Sequence, residues 1–207
     1  MGAVRRAVCL VVAGVALAGC GGTGGPGVAR GDADVTLLLG ARPAGLHAGI
    51  YLAAQRGYDQ AEGIDLTVRR TGDAQRLLSS GRVQAALLDA AEVEGAPVVC
   101  VMALTQTPRP DHFVCVKRTA LADRRPEVEA LVRTLQRGYS EAEVDPESAV
   151  QAILAGAGGL DRAALAAQLD AVSASFEAGV PAFGYLEESR LPKGDFDASL
   201  VGPVSRD

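Results

Sequence analysis

The stretch VTLLLGARPAGLHAGIYLAAQRG, residues 35–57, decides the fold. Val35 to Leu39 is an unbroken run of β-branched residues and leucines, the pattern of a strand covered on both faces in a parallel sheet. Gly40 to Gly45 is turn-like, and Leu46, Ile50 and Ala53 or Ala54 then recur at helical spacing up to Gly57, which supplies a left-handed stop. A first strand that hands the chain to a helix start places the intervening loop where α/β proteins meet their ligands.

Downstream the same alternation continues. Ile64, Leu66 and Val68 alternate with polar residues, the period of a half-buried strand. Ala74 to Ser80 suits a short helix ended by Gly81; Val83 to Leu88 reads as a strand, and Pro97 introduces the apolar run Val98 to Leu104. Pro108 and Pro110 then break the pattern before a last strand, Phe113 to Lys117. Beyond it the chain turns helical. Pro126 fits a first helical turn, with Val128, Leu131, Val132, Leu135 and Tyr139 on one face; Asp145 and Pro146 start a second helix that Gly158 and Gly159 end. Asp161 caps a third through Leu165, Leu169 and Val172, and Pro181, Gly184, Pro192 and Gly194 leave the tail irregular. Strands alternating with short helices, followed by helices alone, predict an α/β lobe with a mostly parallel sheet and a helical C-terminal half.

Upstream lies a different kind of segment. Arg5 and Arg6 precede the apolar run Ala7 to Ala16, and Leu17, Ala18, Gly19 and Cys20 complete the pattern of a bacterial lipoprotein signal. The run is shorter than the ~20 residues a membrane span needs. The expectation is a signal peptide over 1–19, a lipid-bearing N-terminal Cys20, a glycine-rich tether over 20–33 and a single domain over 34–207. Two or three acyl chains on Cys20 would hold the protein on the extracytoplasmic face of the cell membrane.

The 207 residues carry a formal net charge of −5 and are 48% hydrophobic, enough for a core. Removing the signal takes away two arginines and makes the chain more acidic, so nucleic acid is excluded as a partner by repulsion. Cys9 leaves with the signal and Cys20 is lipidated, which leaves Cys100 and Cys115. If their runs are neighbouring antiparallel strands, the oxidising exterior permits a disulfide; two buried thiols are the alternative, favoured by the apolar surroundings. The only histidines are His47 and His112, and without a close cysteine pair no zinc site or other cofactor is expected.

Arg42, Pro43, Ala44, Gly45, Leu46, His47, Ala48, Gly49, Ile50 and Tyr51, followed by Gly57 and Tyr58, Glu62 to Leu66 and Gly81 to Leu88, resemble the NMT1/THI5-like substrate-binding proteins. A second similarity is Arg137, Gly138, Tyr139 with Asp145, Pro146, Glu147 and Ala149, and Phe196, Asp197, Ser199, Leu200 and Val201 resemble the family's closing segment. The resemblance implies a periplasmic-binding-protein-like fold, a small-molecule ligand such as a thiamine-pyrimidine precursor, and an ABC permease in the membrane as partner. Two departures stand out. Between Leu104 and Phe113 the family carries nearly all of its second lobe, and this chain has only a proline-rich connection; Ala41 replaces the family's stacking aromatic.

His47 is the leading ligand contact, because a neutral imidazole at a helix start both donates and accepts; a partly exposed helix histidine is the plainer reading. Tyr51, one turn on, offers ring and hydroxyl, with core packing as its alternative. Arg42 and Asp89 stand at strand ends where polar groups converge, unless they are solvated loop charges, and Pro43 belongs to the same motif. Glu92 and Glu94, like Glu187 and Glu188, read as solvated faces. No nucleophile elbow, phosphate-cradling loop or metal cluster points to an enzyme. Two other readings compete with an importer's solute-binding component. One is a one-lobed envelope interaction protein or a remnant without ligand binding. The other is a pyrimidine-synthase-like enzyme of the same fold family, against which the export signal and the lack of a cysteine-rich motif argue.

Overall fold

A computed structural model describes residues 33–176 and 180–201; the expected signal, Cys20 and nearly all of the tether lie outside them. The first strand, β1 (Ala33–Leu39), is followed by a 3₁₀ turn (Gly45–His47) and α1 (Ala48–Arg56), which Gly57 ends at φ 69°. Then come α2 (Tyr58–Ala61), β2 (Ile64–Arg70), α3 (Ala74–Ser79), β3 (Ala85–Asp89), α4 (Ala90–Val93), β4 (Val98–Ala103) and β5 (His112–Lys117). The C-terminal half is α5 (Arg118–Asp123), α6 (Arg125–Val144), α7 (Pro146–Ala157) and α8 (Arg162–Ser173). Asp145 and Asp161 cap α7 and α8 as expected, accepting from the Ser148 and Ala164 amides at 3.0 and 2.7 Å.

The strands form one sheet in the order β2-β1-β3-β5-β4. β1 pairs in parallel with β2 and β3, whereas β5 runs antiparallel to both β3 and β4, so four strands share a direction and β5 opposes them. Alternate residues feed two cores. Leu37, Leu39, Ala85, Leu87, Val114 and Val116 pack with α1, α6, α7 and α8, and the expected α6 stripe is buried there. Leu38, Leu88, Phe113 and Cys115 pack under α3 and α4 with Leu186 and Phe196 of the tail. The tail adds a bridge to β4, the Cys100 amide donating to the Asp195 carbonyl at 2.9 Å and the Asp197 amide to the Cys100 carbonyl at 3.0 Å.

Cys100 and Cys115 face each other across β4 and β5 and are joined in a disulfide, so the alternative of two free thiols gives way to the cross-link. The structure also departs from the sequence reading by extending β2 to Arg70 and by adding α2, α4 and α5, too short to leave a periodic signal. The chain passes from β4 to β5 through residues 104–111 alone. The Leu104 amide donates to the His112 carbonyl at 2.8 Å, closing that connection tightly.

Candidate ligand site at the carboxyl edge

β1 sits between β2 and β3, and the connections leaving β1 and β3 run to opposite sides of the sheet. A reversal of this kind is where open α/β sheets place their ligand crevice, beyond the carboxyl ends of the two strands. Four chain segments meet there: the 3₁₀ turn after β1, the end of β2 at Arg70, the β3–α4 junction at Asp89, and the β4–β5 connection ending at His112.

His47 is only 5% exposed. Its Nδ1 accepts the Ala44 amide at 3.1 Å, doing for this turn what a capping side chain does elsewhere, because alanine at the cap position has none to offer. The proton of the neutral ring is therefore assigned to Nε2. Burial, then the neighbouring His112, then the Arg70 guanidinium lower the pKa of His47 to about 4, so the ring is neutral at physiological pH.

The turn itself is held from far away. The Gly45 amide donates to Gln168 Oε1 of α8 at 3.1 Å, and a Cβ on Gly45 would lie 2.3 Å from the Leu169 backbone nitrogen. The Tyr139 hydroxyl of α6 donates to the Leu46 carbonyl at 2.5 Å. Its ring stacks on Phe183 at 4.2 Å, meets Phe176 edge-on at 5.1 Å, and fills the space that Gly49 leaves empty.

Around His47 the structure gathers residues that sequence reasoning missed. Arg70 donates to the Ala157 carbonyl at 3.3 Å and its charge acts on both His47 and Tyr51. His112 Nδ1 lies 2.7 Å from Asp111 Oδ1, which also accepts the Thr105 hydroxyl. The Asp111 carbonyl accepts the Ala90 amide at 2.9 Å and so ties the β4–β5 connection to the β3–α4 junction. The position of His112 at the head of a strand was the one available signal; Arg70 offered none, because β2 seemed to end before it.

The remaining expected residues fare differently. Tyr51 is buried, and its ring occupies the space beside Gly156 of α7; burial raises its pKa while Arg70 opposes the rise. Arg42 is exposed and Pro43 half-buried on the loop ahead of the turn. Asp89 caps α4 instead of standing free: its Oδ1 accepts the Glu92 amide at 2.9 Å, and Glu92 Oε2 accepts the Asp89 amide at 3.0 Å. Glu92, read as a solvated face, is therefore half of a capping box. Among the described residues no group of three or more histidines, cysteines or carboxylates could hold a metal ion.

Residues 45–117 match the family model described as NMT1/THI5 like, a span that begins at the 3₁₀ turn and ends with β5. This segment is NMT1/THI5-like. It carries His47, Arg70, Asp89 and His112, while Gln168 and Tyr139, which hold its first turn, come from the helices beyond it. No curated protein matches the chain in sequence.

Solved structures do match. A protein of Bordetella bronchiseptica RB50 superposes with a TM-score of 0.61 at 11% identity, over 82% of this chain and 92% of its own. The alkanesulfonate-binding protein SsuA of Xanthomonas axonopodis pv. citri, bound to MOPS, gives 0.53 at 10% identity, over 70% and 86%. The ligand-binding component of an ABC-type import system from Staphylococcus aureus, with zinc bound, gives 0.53 at 8%, over 66% and 83%. The shared feature is the fold, and the NMT1/THI5-like segment lies within a periplasmic-binding-protein-like α/β lobe.

Proposed function

We propose that this protein is the solute-binding component of an ABC importer. In this reading it is anchored through a lipidated Cys20 on the extracytoplasmic face of the membrane, captures a small heterocycle such as a thiamine-pyrimidine precursor, and delivers it to a membrane permease. The observation that carries the reading is His47: a buried, neutral imidazole at the crevice between β1 and β3, with Nδ1 engaged internally and Nε2–H as the donor. Arg70 and His112 beside it add donor capacity. The NMT1/THI5-like segment and the fold shared with importer components support the same reading. No helix among the described residues is long and apolar enough to cross a membrane.

The test is thermal unfolding of the protein from Cys20 onward with pyrimidines, thiamine and simple sulfonates. A ligand at about a hundred times its Kd raises stability by about 2.7 kcal/mol, and the His47→Ala variant should lose that rise. A sulfonate that raises the transition while pyrimidines do not would reassign the solute. A cooperative transition that no compound moves would favour a one-lobed interaction protein. For the anchor, Cys20→Ser should release the protein from cell membranes; retention of that variant would refute lipidation.

A further inference from the structure

The two histidines of the carboxyl edge are held in opposite tautomers. His47 Nδ1 accepts the Ala44 amide, which assigns its proton to Nε2. His112 is the reverse. Its Nδ1 lies 2.7 Å from Asp111 Oδ1, and a carboxylate oxygen only accepts, so the proton belongs to Nδ1 and the neutral ring keeps a lone pair on Nε2. His112 Nε2 donates only when a second proton makes the ring cationic. The rings stand close enough that charge on His112 bears on His47.

Asp111 is itself fixed. Its Oδ1 accepts the Thr105 hydroxyl, and its amide donates back to Thr105 Oγ1 at 3.3 Å, with Thr105 only 6% exposed. The tail straps the connection that carries both: Arg190 donates to the carbonyls of Gln106 and Pro108, the second at 3.3 Å, and Gln106 Nε2 donates to the Tyr185 carbonyl at 2.9 Å. From the other side the Ala90 amide holds the Asp111 carbonyl, and His112 stands opposite Asp89 in the β3–β5 register. An imidazole with a fixed tautomer offers a ligand one function instead of two. Arg70 brings a positive charge to this edge and Asp111 a negative one, so net charge gives an anion no advantage.

We infer that His112, oriented by Asp111, is the hydrogen-bond acceptor of this site and His47 its donor, so that the site selects a neutral heterocycle carrying an N–H as well as an acceptor over one with acceptors alone. This role rests on the ligand site proposed above; Asp111 is its positioning residue.

The sequence holds only two histidines, so long-range proton–nitrogen correlation spectra of the full chain read both tautomers directly, at about pH 8 where a histidine of ordinary pKa is neutral. The expected forms are Nε2–H at His47 and Nδ1–H at His112. Asp111→Ala should move His112 toward the Nε2–H form and leave His47 as it is. Uracil, 1,3-dimethyluracil, which has no N–H, and methanesulfonate are then titrated into the same samples. Uracil should shift both rings and bind at least about tenfold tighter than the other two, the scale of one hydrogen bond whose loss leaves a partner unpaired, and Asp111→Ala should lose that preference. An Nε2–H form at His112, equal binding of dimethyluracil, tighter binding of methanesulfonate, or a preference undiminished in Asp111→Ala would each overturn the inference and leave the site at His47 standing. If both tautomers are as stated and none of the three compounds moves either ring up to about 10 mM, a limit far weaker than a useful site, the ligand site itself is refuted and the role of His112 falls with it.

Discussion

The ends of β1 and β3 flank the same crevice, yet the backbone at the first is held by Gln168 and Tyr139 from distant helices, and at the second by Glu92, three residues on. At β1 the result is a buried imidazole kept neutral by its surroundings; at β3 it is an exposed capping box. Long-range support excludes water and shifts a pKa. Local support satisfies amides and leaves the side chains solvated. A strand end that serves ligand binding needs the first kind, which makes β1 the better candidate of the two.

The largest effect expected from breaking this contrast is at Gly45. Gly45→Ala drives a methyl into the α8 backbone and should cost about 3 kcal/mol or more, measured by denaturant unfolding. A cost under about 1 kcal/mol would mean that α8 does not bear on the turn.

Acid should act on β1 almost as strongly. Unfolded, His47 titrates near 6.5; folded, at about 4. The unfolded state therefore takes up its proton first as pH falls, and stability contributed by the neutral ring is lost between those values, by up to about 3 kcal/mol. His47→Gln, whose amide can still accept from Ala44, should flatten that part of the stability profile; an unchanged profile would place the loss elsewhere.

Gln168→Ala should cost about 1 kcal/mol by leaving the Gly45 amide unpaired, and should weaken binding at His47, with Gln168→Glu restoring both. Asp89→Ala should also cost about 1 kcal/mol, but with faster amide exchange confined to α4 and no change in binding. Loss of ligand binding in Asp89→Ala would erase the distinction between the two strand ends.

Much of the fold was legible because its signals are local. The run Val35 to Leu39, the caps Asp145 and Asp161, the stop at Gly57 and the α6 stripe each report a backbone state through neighbours within a turn or two. The Asp89 and Glu92 pair was legible by the same logic, since a carboxylate cap with glutamate three residues later is a capping box, although it was read as two separate charges. His47 could be placed at a helix start but not judged buried. Nothing near it in sequence announces Gln168, Tyr139 or Arg70.

The sequence by itself determined the order of the strands and of the longer helices, the caps and stops of several of them, and a turn after β1 carrying a histidine. Hydrogen bonds and side-chain periodicity over a few residues suffice for that. Only the tertiary structure decided that β5 enters the sheet between β3 and β4, that Cys100 meets Cys115, and that His47 is neutral beside Arg70 and His112. Those outcomes depend on which distant surfaces exclude water together, and desolvation is a property of the packed whole rather than of any segment.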